Sequence, residues 1–135
     1  MAIIIDADVI IRGERETFDL RGWLAARSRE RVEIAAITVA EMWHGVERAD
    51  FTHKSKRERY LRSVVQNMLI IPYGETTALE HARIWAELEI SGRMIGDYDL
   101  IVAASALERG STLATFNQRH FSQVRGLKLI RPEAP

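Results

Sequence analysis

Acidic residues follow the apolar segments of this chain at positions where they could do chemistry. The chain opens MAIIIDADVI, so three isoleucines lead into Asp6, and Asp8 follows two residues later. An unpaired buried carboxylate is costly, so a buried strand that ends in Asp6 needs a compensating group at its tip. Two roles fit this requirement: Asp6 caps a turn, or it holds a cation.

Further acidic residues occupy comparable positions later in the chain. Glu41 falls on the first turn of a helix predicted after the second strand, and Asp97 and Asp99 fall in a loop before a helix predicted to begin at Leu100. Ligands of open parallel sheets bind beyond the carboxyl ends of the strands. Several carboxylates at one such edge, with no cysteine and no obvious histidine pair, suit a hard cation such as Mg²⁺ or Mn²⁺.

Each acidic residue also has a structural interpretation. Thr38-Val-Ala-Glu41 matches the capping box, in which the glutamate bonds back to the first residue of the motif. Asp99 fits the N-cap of the following helix, and Asp8 fits an Asx turn after the strand. The joint placement of the acidic residues is a stronger signal than any one of them.

The composition bounds the class of protein. The chain has 135 residues, 47% of them hydrophobic, no cysteine, and 19 basic residues against 19 acidic ones. These values predict one globular domain over residues 1–135 and give no global signal of nucleic-acid binding. No secretory signal and no membrane-spanning segment is recognisable, so we expect a cytoplasmic protein.

Strand and helix patterns alternate along the chain. Short apolar runs predict strands near residues 2–6, 33–38, 69–73, 111–115 and 127–130, and helical spacing predicts helices over residues 17–31, 38–49, 51–68, 75–91 and 100–109. Gly110 is placed as the residue that ends the last of these helices, and residues 131–135 are expected to fray. The fold class is therefore α/β with a mostly parallel sheet.

Four stretches resemble the PIN-domain ribonucleases, and specifically the VapC toxins of toxin–antitoxin pairs. They read IIIDADVII, AAITVAEMWHGVERA, IGDYDLIVAASALERGSTLATFNQRHF and VRGLKLI, and they cover nearly the whole chain. The resemblance implies a three-layer α/β/α fold, a Mg²⁺- or Mn²⁺-dependent endoribonuclease acting on RNA, a homodimer, and neutralisation by a cognate antitoxin. It also assigns the first three acidic positions of the family to Asp6, Glu41 and Asp99, as metal ligands and catalytic residues.

The chain departs from the family pattern at two places. The fourth acidic position is often filled in segments such as TxNxxDF, but here the segment reads TFNQRHF, with Asn117 at the asparagine and His120 at the acid. Asp97 is an additional candidate ligand that would restore the missing charge. Ala7 and Asp8 stand where relatives often carry small hydroxyl or amide residues. These departures bear on the number of metal ions.

Four arginines lie in or beside the loops that carry the proposed ligands and are candidates for binding the RNA backbone: Arg12, Arg93, Arg119 and Arg125. The segment HKSKRERYLRS predicts an exposed basic helix face. Trp43, His44 and Tyr60 are candidates for an antitoxin groove or a dimer interface.

Two other functions also fit the sequence. A haloacid-dehalogenase-type phosphotransferase would use Asp6 as nucleophile and Asp8 as acid/base, since IIIDADVI matches that family's first motif. It would leave Glu41 without a role. The second alternative is a PIN-like protein that binds partners or RNA but has lost catalysis, which His120 at the fourth acidic position permits.

Overall fold

A parallel five-stranded sheet forms the centre of the protein. The structure is a computed structural model that describes residues 1–133, so part of the segment expected to fray lies outside the described residues. The strands are β1 (Ala2–Ile5), β2 (Arg31–Ala35), β3 (Leu69–Ile71), β4 (Thr112–Ala114) and β5 (Leu129–Ile130). Their spatial order is β3-β2-β1-β4-β5, and all four pairings are parallel. The predicted α/β class with a mostly parallel sheet is confirmed.

Helices connect the strands and cover both faces of the sheet. They are α1 (Ala7–Glu14), α2 (Leu20–Ala25), α3 (Ala36–Arg48), α4 (Phe51–Val65), α5 (Glu75–Ser91), α6 (Asp97–Arg109) and α7 (Gln118–Phe121). No helix within residues 1–133 is long and apolar enough to cross a membrane.

The central strand β1 separates two hydrophobic cores. Successive side chains of a strand point to opposite faces, so Ile4 joins the core formed with α5 and α6, whereas Ile3 and Ile5 join the core formed with α1 and α2. All three isoleucines are fully buried. The apolar run before Asp6 is thus explained by a strand covered on both faces, and the fold is the expected three-layer α/β/α arrangement.

Two N-terminal segments differ from the sequence expectation. Residues 7–14 form α1, whereas we expected no more than a turn there, and Asp8 lies in the first turn of this helix. The α1 helix starts where it does because Asp6 is its N-cap and accepts a hydrogen bond from the Ala7 amide. Only Leu20–Ala25 of the helix predicted over residues 17–31 is helical, and residue 31 already belongs to β2.

The helices that carry Glu41 and Asp99 begin earlier than predicted. The N-cap of α3 is Ala35 and makes no side-chain cap bond, so the capping box is not formed and Glu41 lies on the second turn. The N-cap of α6 is Gly96, so Asp97 and Asp99 lie in the first turn of the helix, and the N-cap role of Asp99 is wrong. Both carboxylates are therefore available for other interactions.

Gly110 ends α6 as predicted. Its φ of 66° is left-handed, and its amide donates to the carbonyl of Leu107. Glycine adopts this conformation without the steric cost of a Cβ atom. The turn leads the chain directly into β4.

A buried carboxylate connects β2 to the C-terminal end of α6. Glu33 is fully buried, and its Oε2 atom accepts hydrogen bonds from Arg109 Nη2 at 2.6 Å and Arg109 Nε at 3.1 Å. Arg31 Nε lies 3.2 Å from the same oxygen, and the hydroxyl of Ser111 donates to the other oxygen. Buried charges persist only when they are paired and hydrogen-bonded, and this glutamate meets that condition.

Candidate active site

Asp6 lies at the carboxyl end of the central strand with both carboxylate oxygens engaged. Oδ1 accepts a hydrogen bond of 2.9 Å from the Ala7 amide, and Oδ2 accepts one of 2.8 Å from Thr115 Oγ1. The residue is only 6% exposed. Asp6 therefore caps α1, which is one of the two roles considered from the sequence, and it also faces the segment after β4. The other role, holding a cation, is compatible with this position.

Thr115 and Phe116 donate hydrogen bonds to the carboxylates of Asp6 and Asp8, which follow β1. Because β4 pairs in parallel with β1, with Ile5 opposite Ala114, Thr115 comes directly beside Asp6. The Phe116 amide donates to Asp8 Oδ2 at 3.1 Å, and the Asn117 amide donates to Thr115 Oγ1 at 2.9 Å. The segment after β4 thus orients both aspartates.

The electrostatics of Asp6 are those of a carboxylate within an acidic group. Burial, with smaller contributions from the negative charges of Asp8 and Asp99, raises the pKa of Asp6 from 3.8 to about 7, although the hydrogen bonds from Thr115 and Ala7 act in the opposite direction. Burial also raises the pKa of Asp8, an effect that the Phe116 amide, Thr115 and Arg12 oppose.

Glu41 and Asp99 belong to the same acidic group. Burial and, to a smaller extent, the charge of Asp99 raise the pKa of Glu41. Burial raises the pKa of Asp99, and nearby His120 lowers it. Because Asp99 acts on both Asp6 and Glu41, carboxylates from β1, α3 and α6 influence one another at one edge of the sheet. We call Asp6, Asp8, Glu41 and Asp99 the acidic cluster.

His120, at the family's fourth acidic position, and the additional candidate ligand Asp97 lie near the acidic cluster. His120 is on α7, its Nδ1 atom lies 3.1 Å from Asn117 Nδ2, and its charge acts on Asp99. Asp97 lies on the first turn of α6 and is exposed. His120 therefore borders the site, and Asp97 lies two residues from Asp99 on the same turn.

The donor set of the acidic cluster suits a hard divalent cation. In the arrangement described for residues 1–133, no three acidic or imidazole side chains converge closely enough to hold a metal ion by themselves. The four carboxylates nevertheless share one edge. Burial raises the pKa of each of them, and repulsion from a neighbouring carboxylate raises the pKa of Asp6 and Glu41 further. An oxygen-only donor set with unfavourable negative charge fits Mg²⁺ or Mn²⁺, which retain water molecules in their coordination shells.

The candidate RNA-binding arginines divide into two groups. Arg12 lies one helical turn after Asp8 on α1, and its charge acts on that carboxylate. Arg119 is exposed on α7, beside His120. Arg93 and Arg125 instead line a cleft beside Glu87, with which Arg125 forms an ion pair of 2.7 Å. No member of the acidic cluster lines that cleft.

The proposed partner-binding residues lie around α4. Tyr60 donates a hydrogen bond of 3.0 Å to the Ile10 carbonyl, and a cavity of about 180 Å³ extends from Tyr60 to Glu41 between α1, α3 and α4. The guanidinium of Arg62 stacks 4.8 Å from the ring of Trp43. His44 is exposed on α3.

Thr115 is the site residue that the sequence analysis missed. It is fully buried, and it is the only residue of the part described that hydrogen-bonds to both Asp6 and Asp8. Its signal in the sequence is a hydroxyl residue at the carboxyl end of an apolar strand, the same position that made Asp6 conspicuous.

We expect Thr115→Val to reduce RNA cleavage at pH 7 by about 10- to 100-fold, because removing a residue that orients metal ligands typically lowers activity by this factor. The hydroxyl lowers the pKa of Asp6, so its removal raises that pKa and shifts the pH profile of the initial rate toward higher pH. Thr115→Ser, which keeps the hydroxyl, is the control. An unchanged pH profile in the valine variant would contradict this role.

The fold and the acidic cluster together define a class of protein. Carboxylates gathered beyond the carboxyl ends of a parallel sheet, with oxygen donors alone, are the arrangement of a metal-dependent hydrolase of phosphate esters.

Comparisons with known proteins identify the family. The family model described as PIN domain matches residues 3–127. The chain is 29% identical over 131 residues to "Ribonuclease VapC1" of Rickettsia felis, covering 96% of each chain. It is 27% identical over 114 residues to "tRNA(fMet)-specific endonuclease VapC" of Shigella flexneri, covering 84% of this chain and 80% of that one. The structure of VapBC2 from Rickettsia felis bound to a promoter DNA fragment superposes with a TM-score of 0.91 at 22% identity, covering 98% of this chain and 100% of that one.

The chain belongs to the PIN-domain family, within the group of the VapC ribonucleases. Ribonucleases of this family generally depend on divalent metal ions. The resemblance found in the sequence is confirmed. Neither alternative is supported: the matches are to ribonucleases rather than to phosphotransferases, and Glu41, which the phosphotransferase would leave without a role, belongs to the acidic cluster.

Proposed function

We propose that this chain is the toxin of a type II toxin–antitoxin pair and hydrolyses phosphodiester bonds within RNA at the acidic cluster. The observation that carries the proposal is the position of Asp6 at the end of β1, bonded to Thr115 after β4, with Glu41 and Asp99 near the starts of α3 and α6. The charge of Asp99 raises the pKa of both Asp6 and Glu41, in agreement with this placement. The family relatives named as ribonucleases agree with it. We further propose that residues 1–135 act as a single PIN domain, which the match over residues 3–127 supports.

The cofactor of this reaction is Mg²⁺ or Mn²⁺, held by Asp6, Glu41 and Asp99, with Asp97 as an additional ligand. When bound, the ion activates water and neutralises charge on the phosphate. The protein supplies the orientation: Ala7 and Thr115 fix both oxygens of Asp6, and the Phe116 amide fixes Asp8. His120 favours the ionised form of Asp99, which keeps that carboxylate available for the cation.

The partners follow from the same assignment. The structural relative from Rickettsia felis is a VapBC complex, and we propose that a cognate antitoxin binds this chain beside the cavity that joins Tyr60 to Glu41. RNA is the substrate, and the Shigella relative is named for an initiator tRNA. We also propose a homodimer and a cytoplasmic location, where the RNA substrate is found.

The test combines cleavage with toxicity. We expect purified protein to cleave cellular RNA in Mg²⁺ or Mn²⁺, to lose that activity in EDTA, and to regain it when the ion is restored. We expect expression of the chain to arrest growth, and co-expression of its cognate antitoxin, sought as a small DNA-binding protein encoded directly upstream, to relieve the arrest. Cleavage that persists in EDTA, or a chain that is harmless and inactive with either ion, would overturn the proposal.

A further inference from the structure

Two arginines contact the same aromatic ring next to the acidic cluster. The guanidinium carbon of Arg12 lies 4.1 Å from the centroid of the Phe116 ring, and that of Arg131 lies 5.2 Å from it. Arg131 Nη1 also donates a hydrogen bond of 3.2 Å to the Phe116 carbonyl. We call Arg12, Phe116 and Arg131 the arginine pair site. It joins α1 to the segment after β5, which the sequence analysis expected to fray.

Two short connections link the arginine pair site to the acidic cluster, one through Phe116 and one through Arg12. Phe116 follows Thr115 directly, and its amide donates to Asp8 Oδ2 at 3.1 Å. Arg12 is on the same face of α1 as Asp8, one turn later, and its charge lowers the pKa of that carboxylate. The positions of Phe116 and Arg12 relative to the carboxylates are therefore set by the end of β4 and by α1, and Arg131 is held to Phe116 by its hydrogen bond to the Phe116 carbonyl.

The two guanidiniums of this site form no ion pair within residues 1–133, although the charge of Arg12 also acts on Asp8. Within residues 1–133, neither Arg12 nor Arg131 has an acidic side chain within ion-pair distance, and both are exposed. Two like charges over one ring repel each other, and a shared anion would relieve that repulsion. Stacking on an aromatic ring also reduces the freedom that each guanidinium loses when it binds a ligand.

A second arginine–aromatic contact in the protein shows the contrast. Arg27 stacks 4.5 Å from the ring of Trp23, but its guanidinium lies 3.3 Å from Glu30. That contact is neutralised within the protein and needs no external anion. Stacking alone thus does not distinguish the arginine pair site, whereas the lack of an ion pair to either of its guanidiniums does.

We propose that the arginine pair site binds a backbone phosphate of the RNA next to the phosphate that is cleaved. Guanidinium groups bind phosphate oxygens through two parallel charge-assisted hydrogen bonds, and both of these guanidiniums lie at the Phe116 ring beside the acidic cluster. The site holds the strand so that the neighbouring phosphate lies over the acidic cluster. This inference rests on the proposed ribonuclease function.

The test measures binding separately from cleavage. Asp6→Asn protein in EDTA is titrated with a short fluorescein-labelled single-stranded RNA of mixed sequence at several salt concentrations. We expect Arg12→Gln and Arg131→Gln each to weaken binding about tenfold and to reduce the slope of log Kd against log salt by about 0.7, the value for one phosphate contact of a single strand. Arg27→Gln, a stacked arginine that is already paired, is the control and should leave the slope unchanged.

The remaining variants separate charge from packing. We expect Arg131→Lys to keep most of the salt slope, and Phe116→Leu to weaken binding because the guanidiniums lose the ring that orients them. Slopes of Arg12→Gln and Arg131→Gln equal to that of the parent would overturn the inference, and so would loss of antitoxin binding with RNA binding unchanged. In either case, metal-dependent cleavage by the parent would leave the proposed function intact.

Discussion

Replacing Asp6 with asparagine is expected to reduce RNA cleavage about a thousandfold or more, equivalent to about 4 kcal/mol of transition-state stabilisation, while the protein stays folded. The amide keeps an oxygen that can accept the hydrogen bond from Thr115 or Ala7, but it removes the charge that a divalent cation requires. Initial rates on RNA in Mg²⁺ test this. Glu89→Gln, which removes an exposed carboxylate on α5, is the control, and full activity of Asp6→Asn would end the assignment.

The same substitution is expected to stabilise the metal-free protein at alkaline pH. Folding raises the pKa of Asp6 from 3.8 to about 7, so this group contributes stability below pH 3.8 and loses that contribution as the pH rises through 7. One pKa unit is worth about 1.4 kcal/mol, so the loss is on the order of 4 kcal/mol. Urea unfolding in EDTA should therefore show Asp6→Asn gaining stability over the parent between pH 5 and pH 8. An equal difference at both pH values would contradict the burial of an ionising Asp6.

The second large effect concerns the buried carboxylate of β2. We expect Arg109→Met to lower the free energy of unfolding by about 3 kcal/mol, because it removes two hydrogen bonds to the fully buried carboxylate of Glu33. Arg31 and Ser111 are then the remaining partners of that carboxylate. Urea unfolding at pH 7 measures the change. The rate of RNA cleavage below the melting temperature should not change, since Arg109 and Asp97 lie at opposite ends of α6.

A double variant shows whether the loss comes from an unpaired charge. Adding Glu33→Gln to Arg109→Met is expected to restore part of the stability, because the buried group is then neutral. Arg83→Met is the matched control. Arg83 pairs with Glu80 and Glu87 on the surface of α5, and loss of such pairs costs about 1 kcal/mol or less. A smaller loss for Arg109→Met than for Arg83→Met would contradict the role of Glu33.

The sequence predicted the acidic residues better than the elements that carry them. Asp6 was conspicuous because a strand buried on both faces leads into it, and the parallel sheet then implied that Glu41 and Asp99 lie at the same edge. The helix starts were misplaced because local signals pointed to Thr38 and Asp99 as caps, whereas Ala35 and Gly96 begin the helices without side-chain caps. Helix α3 begins directly after the last residue of β2, and α6 begins directly after Gly96, so neither start carries a side-chain capping signal that a local motif could reveal.

Residues that depend on strand order were not predictable. Thr115 becomes a site residue only because β4 pairs with β1, and a strand sequence does not reveal its neighbour. Arg131 was missed for the same reason, since its contact with Phe116 requires β5 to lie beside β4. The sequence analysis expected residues 131–135 to fray, yet Arg131, directly after β5, lies at Phe116 beside the acidic cluster.

The hydrogen bond between Thr115 and Asp6 joins residues separated by 109 positions in the chain. In a nascent copy, β4 can therefore dock against β1 only after the ribosome has synthesised the chain beyond Thr115. Domains emerge during translation from the N-terminus onward, so a nascent chain that ends before β4 carries Asp6 without an assembled nuclease centre. Nuclease activity on the ribosome thus has to wait until the fourth strand has emerged.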